Sequence, residues 1–159
     1  MHSRAAELVS VLGMRPHPEG GHYAEVFRST RRVQVLDRNV ERAALTSIHF
    51  LLTEGEFSRW HRVDSDEIWH YHEGDAIELL LFDDQGLRRL PLGPVERATR
   101  STIVVPAGTW QAARSTGAYT LVGCAVGPGF EFADFSLAVD TPDIATRIVD
   151  AGPDLARFI

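Results

Sequence analysis

The densest run of chemically able side chains in the sequence is Trp60-His61-Arg62-Val63-Asp64-Ser65-Asp66-Glu67-Ile68-Trp69-His70-Tyr71-His72-Glu73-Gly74. In extended backbone, side chains alternate between faces. His61 and Val63 therefore share one face, and Glu67, Trp69 and Tyr71 share one face. Rows of imidazole, carboxylate, indole and phenol make a poor dry core, because each buried polar tip needs a partner. They suit the wall of a pocket. His61 is the group there whose unperturbed pKa, about 6.5, lets it take a proton near neutrality. Tyr71 or Tyr23 could return a proton to the other face of a substrate carbon, as an epimerase or isomerase requires. Glu67 could orient the imidazole, or be raised by burial and act as the acid. The bland alternative for His61 is a hydrogen-bonded wall residue that only orients a ligand.

Other residues qualify as ligand contacts. Trp69 and Trp110 offer flat rings that can stack on a sugar face or a planar heterocycle. In the turn His17-Pro18-Glu19-Gly20-Gly21, Glu19 or Tyr23 can reach a pocket rim. The glycine pair allows positive φ or a close backbone approach there. Arg59 and Arg62 bracket His61, and Arg28, Arg31 and Arg32 cluster further upstream. Guanidinium forks suit carboxylates and phosphates, although pairing with neighbours such as Asp64 and Asp66 is the usual fate of such residues. His70 and His72 alternate with Trp69 and Tyr71, so they should face away, toward the surface or a subunit contact. His49 reads as a core or interface histidine, and Phe130, Phe132 and Phe135 as core packing. Cys124, within Leu121-Val122-Gly123-Cys124-Ala125-Val126, reads as a small buried apolar residue.

The elements that must position these groups are short strands. Leu45–Leu52, Ile68–His72, Ala76–Phe82, Thr102–Val105 and Tyr119–Val126 are apolar or alternating. Turn residues separate them: Glu54-Gly55, Glu73-Gly74-Asp75, Asp83-Asp84-Gln85-Gly86, Pro106-Ala107-Gly108 and Gly127-Pro128-Gly129. Turns about 8 to 15 residues apart, with no helices alternating between the strands, predict an all-β sandwich or barrel. A short helix is expected over residues 3–12, capped by Ser3 and ended by Gly13. Another is expected over 142–151, after Thr141 and Pro142. The barrel then spans about 14–140 within one domain, 1–159.

Composition removes several function classes. The chain has 159 residues, 44% of them hydrophobic, and a net charge of −6. That is one core and the wrong sign for a broad nucleic-acid surface. All 16 basic residues are arginine, so this chain supplies neither a Schiff-base lysine nor a P-loop lysine. One cysteine excludes an internal disulfide framework and a multi-cysteine zinc site. No run approaches the roughly 18 apolar residues of a membrane helix, and no signal-peptide core fits the N-terminus. A cytoplasmic protein without nucleic-acid or membrane partners is expected.

Three motif groups carry a family resemblance. Glu67, six residues and Gly74 match the second half of the first cupin motif, with His61 where that motif's first histidine stands. Pro106-Ala107-Gly108-Thr109-Trp110-Gln111 matches the Pro-x-Gly-x-x-His element of the second motif, with Gln111 in place of histidine. His17-Pro18-Glu19-Gly20-Gly21-His22-Tyr23, Ser65-Asp66-Glu67-Ile68-Trp69-His70 and Gly127-Pro128-Gly129-Phe130-Glu131-Phe132 narrow it further. The chain resembles the small single-domain cupins labelled predicted sugar epimerases or domains of unknown function, over residues from about 12 to about 140.

The resemblance implies a double-stranded β-helix, or jelly roll, with a pocket in the barrel mouth and commonly a homodimer. Cupins typically hold a divalent metal with two histidines, a glutamate and a third histidine. Carried onto this sequence, the set is His61, Glu67 and Gln111, with Val63 in the second histidine's place. One imidazole, one carboxylate and one amide would hold a transition metal only loosely. No cofactor is expected beyond a weakly bound divalent ion. Related cupin sugar epimerases are similar in using a histidine at the position of His61 as base. The leading expectation is a metal-independent isomerase or epimerase with Trp69, Tyr71, Gln111 and Trp110 lining its pocket. Its ligand would be a sugar, nucleotide sugar or planar heterocycle. A non-catalytic binding or sensing module and a metal-dependent cupin with the reduced ligand set are the alternatives.

Overall fold

The computed structural model describes residues 1–159. Thirteen strands follow in order: β1 Arg15–Pro16, β2 His22–Arg28, β3 Arg32–Val35, β4 Val40–Ala43, β5 Thr46–Thr53, β6 Ser58–Val63, β7 Asp66–Gly74, β8 Ile77–Asp83, β9 Gly86–Leu92, β10 Thr102–Val105, β11 Trp110–Ser115, β12 Tyr119–Gly127 and β13 Phe135–Leu137. They form a six-stranded sheet, β1-β2-β5-β12-β7-β10, and a five-stranded sheet, β13-β6-β11-β8-β9, with β3-β4 as a separate ribbon. Every pairing between these strands is antiparallel. The two sheets pack face to face as a jelly roll, as expected.

Alternation explains the core. Phe50 and Leu52 of β5, Trp69 of β7, Ile77, Leu79 and Leu81 of β8, and Val122 and Cys124 of β12 point inward and fill the space between the sheets. Toward one end this filling stops, and the inward positions become Glu67, His61 and Tyr23. The opposite parity of β8 and β11 supplies Leu80, Phe82, Trp110 and Ala112 to a second cluster. It is closed by Ile148 of α2 (Pro142–Ala151) and by Leu155 and Phe158 of a final 3-10 turn. Helix α1 (Ser3–Val11) lays Ala5 and Leu8 over Leu51 and Leu121 on the outside of the larger sheet.

The expected helices are present with small corrections. His2, not Ser3, caps α1: its imidazole accepts from the Arg4 amide at 3.3 Å. Thr141 precedes α2 without a side-chain capping bond. Pro142, pre-set at a helical φ, opens that helix instead. No helix is long and apolar enough to cross a membrane.

Candidate functional site

A cavity of about 150 Å³ opens at the unfilled end of the barrel. That is roughly ten times what a single water needs. Its walls carry Glu19, Tyr23, His61, Glu67 and Trp69, five of the residues singled out by the sequence, gathered from four separate chain segments. His17, Arg15, Arg28, Cys124 and the trio Phe130, Phe132 and Phe135 also line it.

The turn before β2 places the first acid. Gly20 and Gly21 have φ of +114° and +67°. An added Cβ would sit 2.1 Å from the Phe57 carbonyl oxygen at Gly20, and 2.6 Å from that of Leu51 at Gly21. Only glycine lets the loop press this closely onto the neighbouring strands. The Arg59 amide donates to the Glu19 carbonyl at 2.8 Å, and the Arg59 guanidinium donates to the Pro18 carbonyl at 2.7 Å. The turn is thus held from outside, and the Glu19 side chain points inward, 6% exposed.

Glu19 there meets two imidazoles. The Ser58 hydroxyl donates to its Oε1 at 2.8 Å. Its Oε2 lies 3.3 Å from His61 Nε2 and 3.4 Å from His17 Nδ1. His61 Nδ1 is 2.8 Å from the Arg59 carbonyl. A carbonyl only accepts, so Nδ1 carries the hydrogen and Nε2 presents its lone pair to Glu19. His17 Nδ1 accepts from the Glu19 amide at 3.2 Å. Burial pushes His61 and His17 below the usual histidine range and pushes Glu19 above the usual carboxylate range. Both directions favour a neutral pair with one proton held between Glu19 and His61.

Glu67 stands on the opposite sheet, 7% exposed. Gln111 donates to its Oε2 at 2.6 Å, and the Trp69 indole donates to the Gln111 amide oxygen at 3.0 Å. Burial raises Glu67 too, against the lowering influence of His61. The Cys124 thiol rests against Glu67 and is pushed far up, which leaves it unreactive.

Several expectations need correction. Tyr71 shares the inward face with Glu67 but lies four residues on, about 13 Å along the strand at 3.3 Å per residue. Its hydroxyl donates to the Gly74 carbonyl at 2.6 Å, and it does not line the cavity. Trp110 points the opposite way from Gln111 on β11, into the cluster beneath α2, with the Arg62 guanidinium 5.2 Å from its ring centre. Gln111 is buried behind Trp69 and Glu67 rather than on the wall. Arg59 acts from outside through its backbone and its grip on Pro18. The group at His61 Nε2 is Glu19, while Glu67 is tied to Gln111.

The phenylalanines read as core packing instead form one lip of the cavity. Phe135 stacks on His61 at 5.4 Å, and Phe132, half exposed, lies 6.1 Å from His17. Asp134 anchors this lip: Arg42 of β4 donates to both its oxygens at 2.7 and 2.8 Å, and Arg38 makes a charge contact at 2.8 Å. His70 and His72 face outward as expected, beside Thr102 and His49 respectively.

The donor set of a cupin metal centre does not come together. Val63 offers carbon, and the Gln111 oxygen is already engaged by Trp69. His61 Nε2 is turned to Glu19, and no three histidine, cysteine, aspartate or glutamate side chains are placed to hold one ion.

An antiparallel jelly roll with a polar pocket at one barrel mouth defines the class as cupin-like. A family model described as Cupin superfamily (DUF985) matches residues 6–138, so the chain belongs to the cupin superfamily. A hypothetical protein from Leishmania major is 32% identical, with a TM-score of 0.82 over 98% of this chain and 96% of that one. A protein from Shewanella oneidensis is 33% identical, with a TM-score of 0.76 over 84% and 83%. Oxalate decarboxylase from Bacillus subtilis shares the fold at 15% identity and a TM-score of 0.59, covering 80% of this chain and 30% of the enzyme. No curated protein matches the chain.

Proposed function

We propose that this cupin is a metal-independent epimerase or isomerase acting on a sugar or similar small polar metabolite by proton transfer. The observation that carries the reading is the Glu19–His61 pair. Its 3.3 Å contact lies in the wall of the cavity, where one proton can be held between carboxyl and imidazole. Tyr23 faces it from the other sheet, its ring held by His17 at 4.7 Å, with no protein group bonded to its hydroxyl.

The pair removes a proton from a carbon next to a substrate carbonyl, which leaves a neutral Glu19 carboxyl beside an imidazolium and an enolate on the substrate. Glu67, whose neutral form burial favours, offers its hydrogen to the enolate oxygen. Tyr23 returns a proton to the opposite face of the carbon and is itself reprotonated from solvent, to which the imidazolium gives up its extra proton. Nothing in the sequence of events uses a metal.

The alternative is a binding module using the same walls without turnover. It is favoured by the near-complete burial of His61, 2% exposed. The two separate by experiment. Chelator-dialysed protein is screened by thermal shift against sugars, nucleotide sugars, nucleobases and carboxylic acids, since any bound ligand stabilises by mass action. Compounds that bind are then incubated with enzyme in deuterated buffer. Deuterium incorporation at carbon, lost in a folded His61→Ala variant, supports the isomerase. Binding without incorporation supports the module, and activity that vanishes on chelation and returns with a metal ion overturns the metal-independent reading.

A further inference from the structure

The rim of the cavity carries four charged side chains, and they are not evenly matched. Arg28 donates to Glu25 at 2.9 Å, to Glu131 at 3.0 Å and to the Phe130 carbonyl at 3.2 Å. One guanidinium is thus shared by two carboxylates, and that side of the rim is net negative. Arg15, from β1, stands apart. Its guanidinium carbon lies 4.9 Å from the centre of the Tyr23 ring, and no carboxylate or carbonyl accepts from it. Arg15 pairs in register with Tyr23, while Arg28 ends the same strand five residues later. Across the bulge between Glu25 and Phe27 these positions oppose Phe50 and Thr46, four residues apart on β5, so the two poles are about 13 Å apart.

From this we propose that Arg15 is the specificity-determining anchor for an anionic group, a carboxylate or a phosphate, on the ligand of this pocket. The inference rests on the pocket reading given above and adds the ligand's charge and orientation. The cation–π contact with Tyr23 restrains the guanidinium over that ring, so less side-chain freedom is lost when a ligand binds. A carboxylate or phosphate matches that fork with two parallel hydrogen bonds. The negative side at Glu25 and Glu131 repels the same group and suits hydroxyls or a positive charge instead. A ligand would therefore enter with its anion at Arg15 and its ring between Tyr23, Phe132 and Phe135. Its reacting carbon would then face Glu19 and His61.

The test uses matched probes on the full-length protein: glucose, glucose 6-phosphate and glucuronate, then uridine and uridine 5′-monophosphate. Dissociation constants are measured by calorimetry for wild type, Arg15→Gln and Arg15→Lys. The expected result is that the anionic member of a set binds more tightly, by about tenfold or more. That preference falls with added salt, is lost in Arg15→Gln, and is partly kept in Arg15→Lys. The phosphate and carboxylate arms show which anion the fork prefers. Equal binding of charged and neutral probes, or a preference that survives Arg15→Gln, overturns the assignment of Arg15 while leaving the pocket intact. Failure of every probe, charged and neutral, overturns both readings.

Discussion

Glu19 Oε2 and His61 Nε2 lie 3.3 Å apart, although they are 42 positions apart in the chain. Neither is a charge partner for the other in the ordinary surface sense. Each is shifted by burial toward its neutral form, so the contact is a shared proton more than an ion pair. The pH dependence of stability follows from that.

A carboxyl raised by folding contributes its stability in full below its ordinary pKa of 4.5 and loses it as pH rises through the folded value. A histidine lowered by folding does the opposite, losing stability as pH falls below 6.5. Glu19→Gln keeps an acceptor for Ser58 and a donor for His61 but removes the carboxyl. The melting temperature of Glu19→Gln relative to wild type should therefore rise as pH is raised above 4.5, until the folded carboxyl itself ionises. A difference that is flat or falls from pH 4.5 upward would show that folding does not raise the Glu19 carboxyl.

Gln111 has a different job from the one its motif position implies. Replacing it with leucine strands the Trp69 indole and one oxygen of Glu67, both buried. The cost should be about 2 kcal/mol or more, from the desolvation of two unpaired polar groups. Urea unfolding checks this, and a loss below about 0.5 kcal/mol would mean that the network is not made.

Trp110→Ala should cost about 3–5 kcal/mol, since it empties the cluster beneath α2. At this chain length each kcal/mol lowers the melting temperature by about 2–4 °C. Affinity for any pocket ligand, measured well below the transition, should stay within about twofold of wild type.

The glycine pair predicts a contrast. Gly20→Ala places a methyl against the Phe57 carbonyl and should cost at least about 2 kcal/mol while weakening ligand binding through Glu19. Gly13→Ala has a positive φ but open space, and should cost about 1 kcal/mol with binding unchanged. Equal losses at both positions would remove the argument that the turn is pressed onto the strand.

The strands were legible where alternation and turn residues coincide, as in Thr102–Val105, where expected and observed limits agree. His61, Glu67, Trp69, Tyr23 and Glu19 were legible as pocket residues because their chemistry is ill suited to a dry core. Alternation gives the face of a residue but not its depth along the barrel, which is why Tyr71 was misplaced. Trp110 was misplaced because a motif neighbour one residue away points to the other side. Phe130, Phe132 and Phe135 gave no polar signal at all; only the folded loop shows that they face a cavity. Arg15 had no motif around it, and its lack of a partner is visible only in three dimensions.

The β3–β4 ribbon supplies no wall of the cavity, yet Arg38 and Arg42 both hold Asp134, two residues beyond Phe132. Access to the binding chamber is thereby coupled to an exposed appendage through one carboxylate. Insertions, deletions or cleavage in that hairpin would alter how freely molecules come and go, with every chamber residue left as it is.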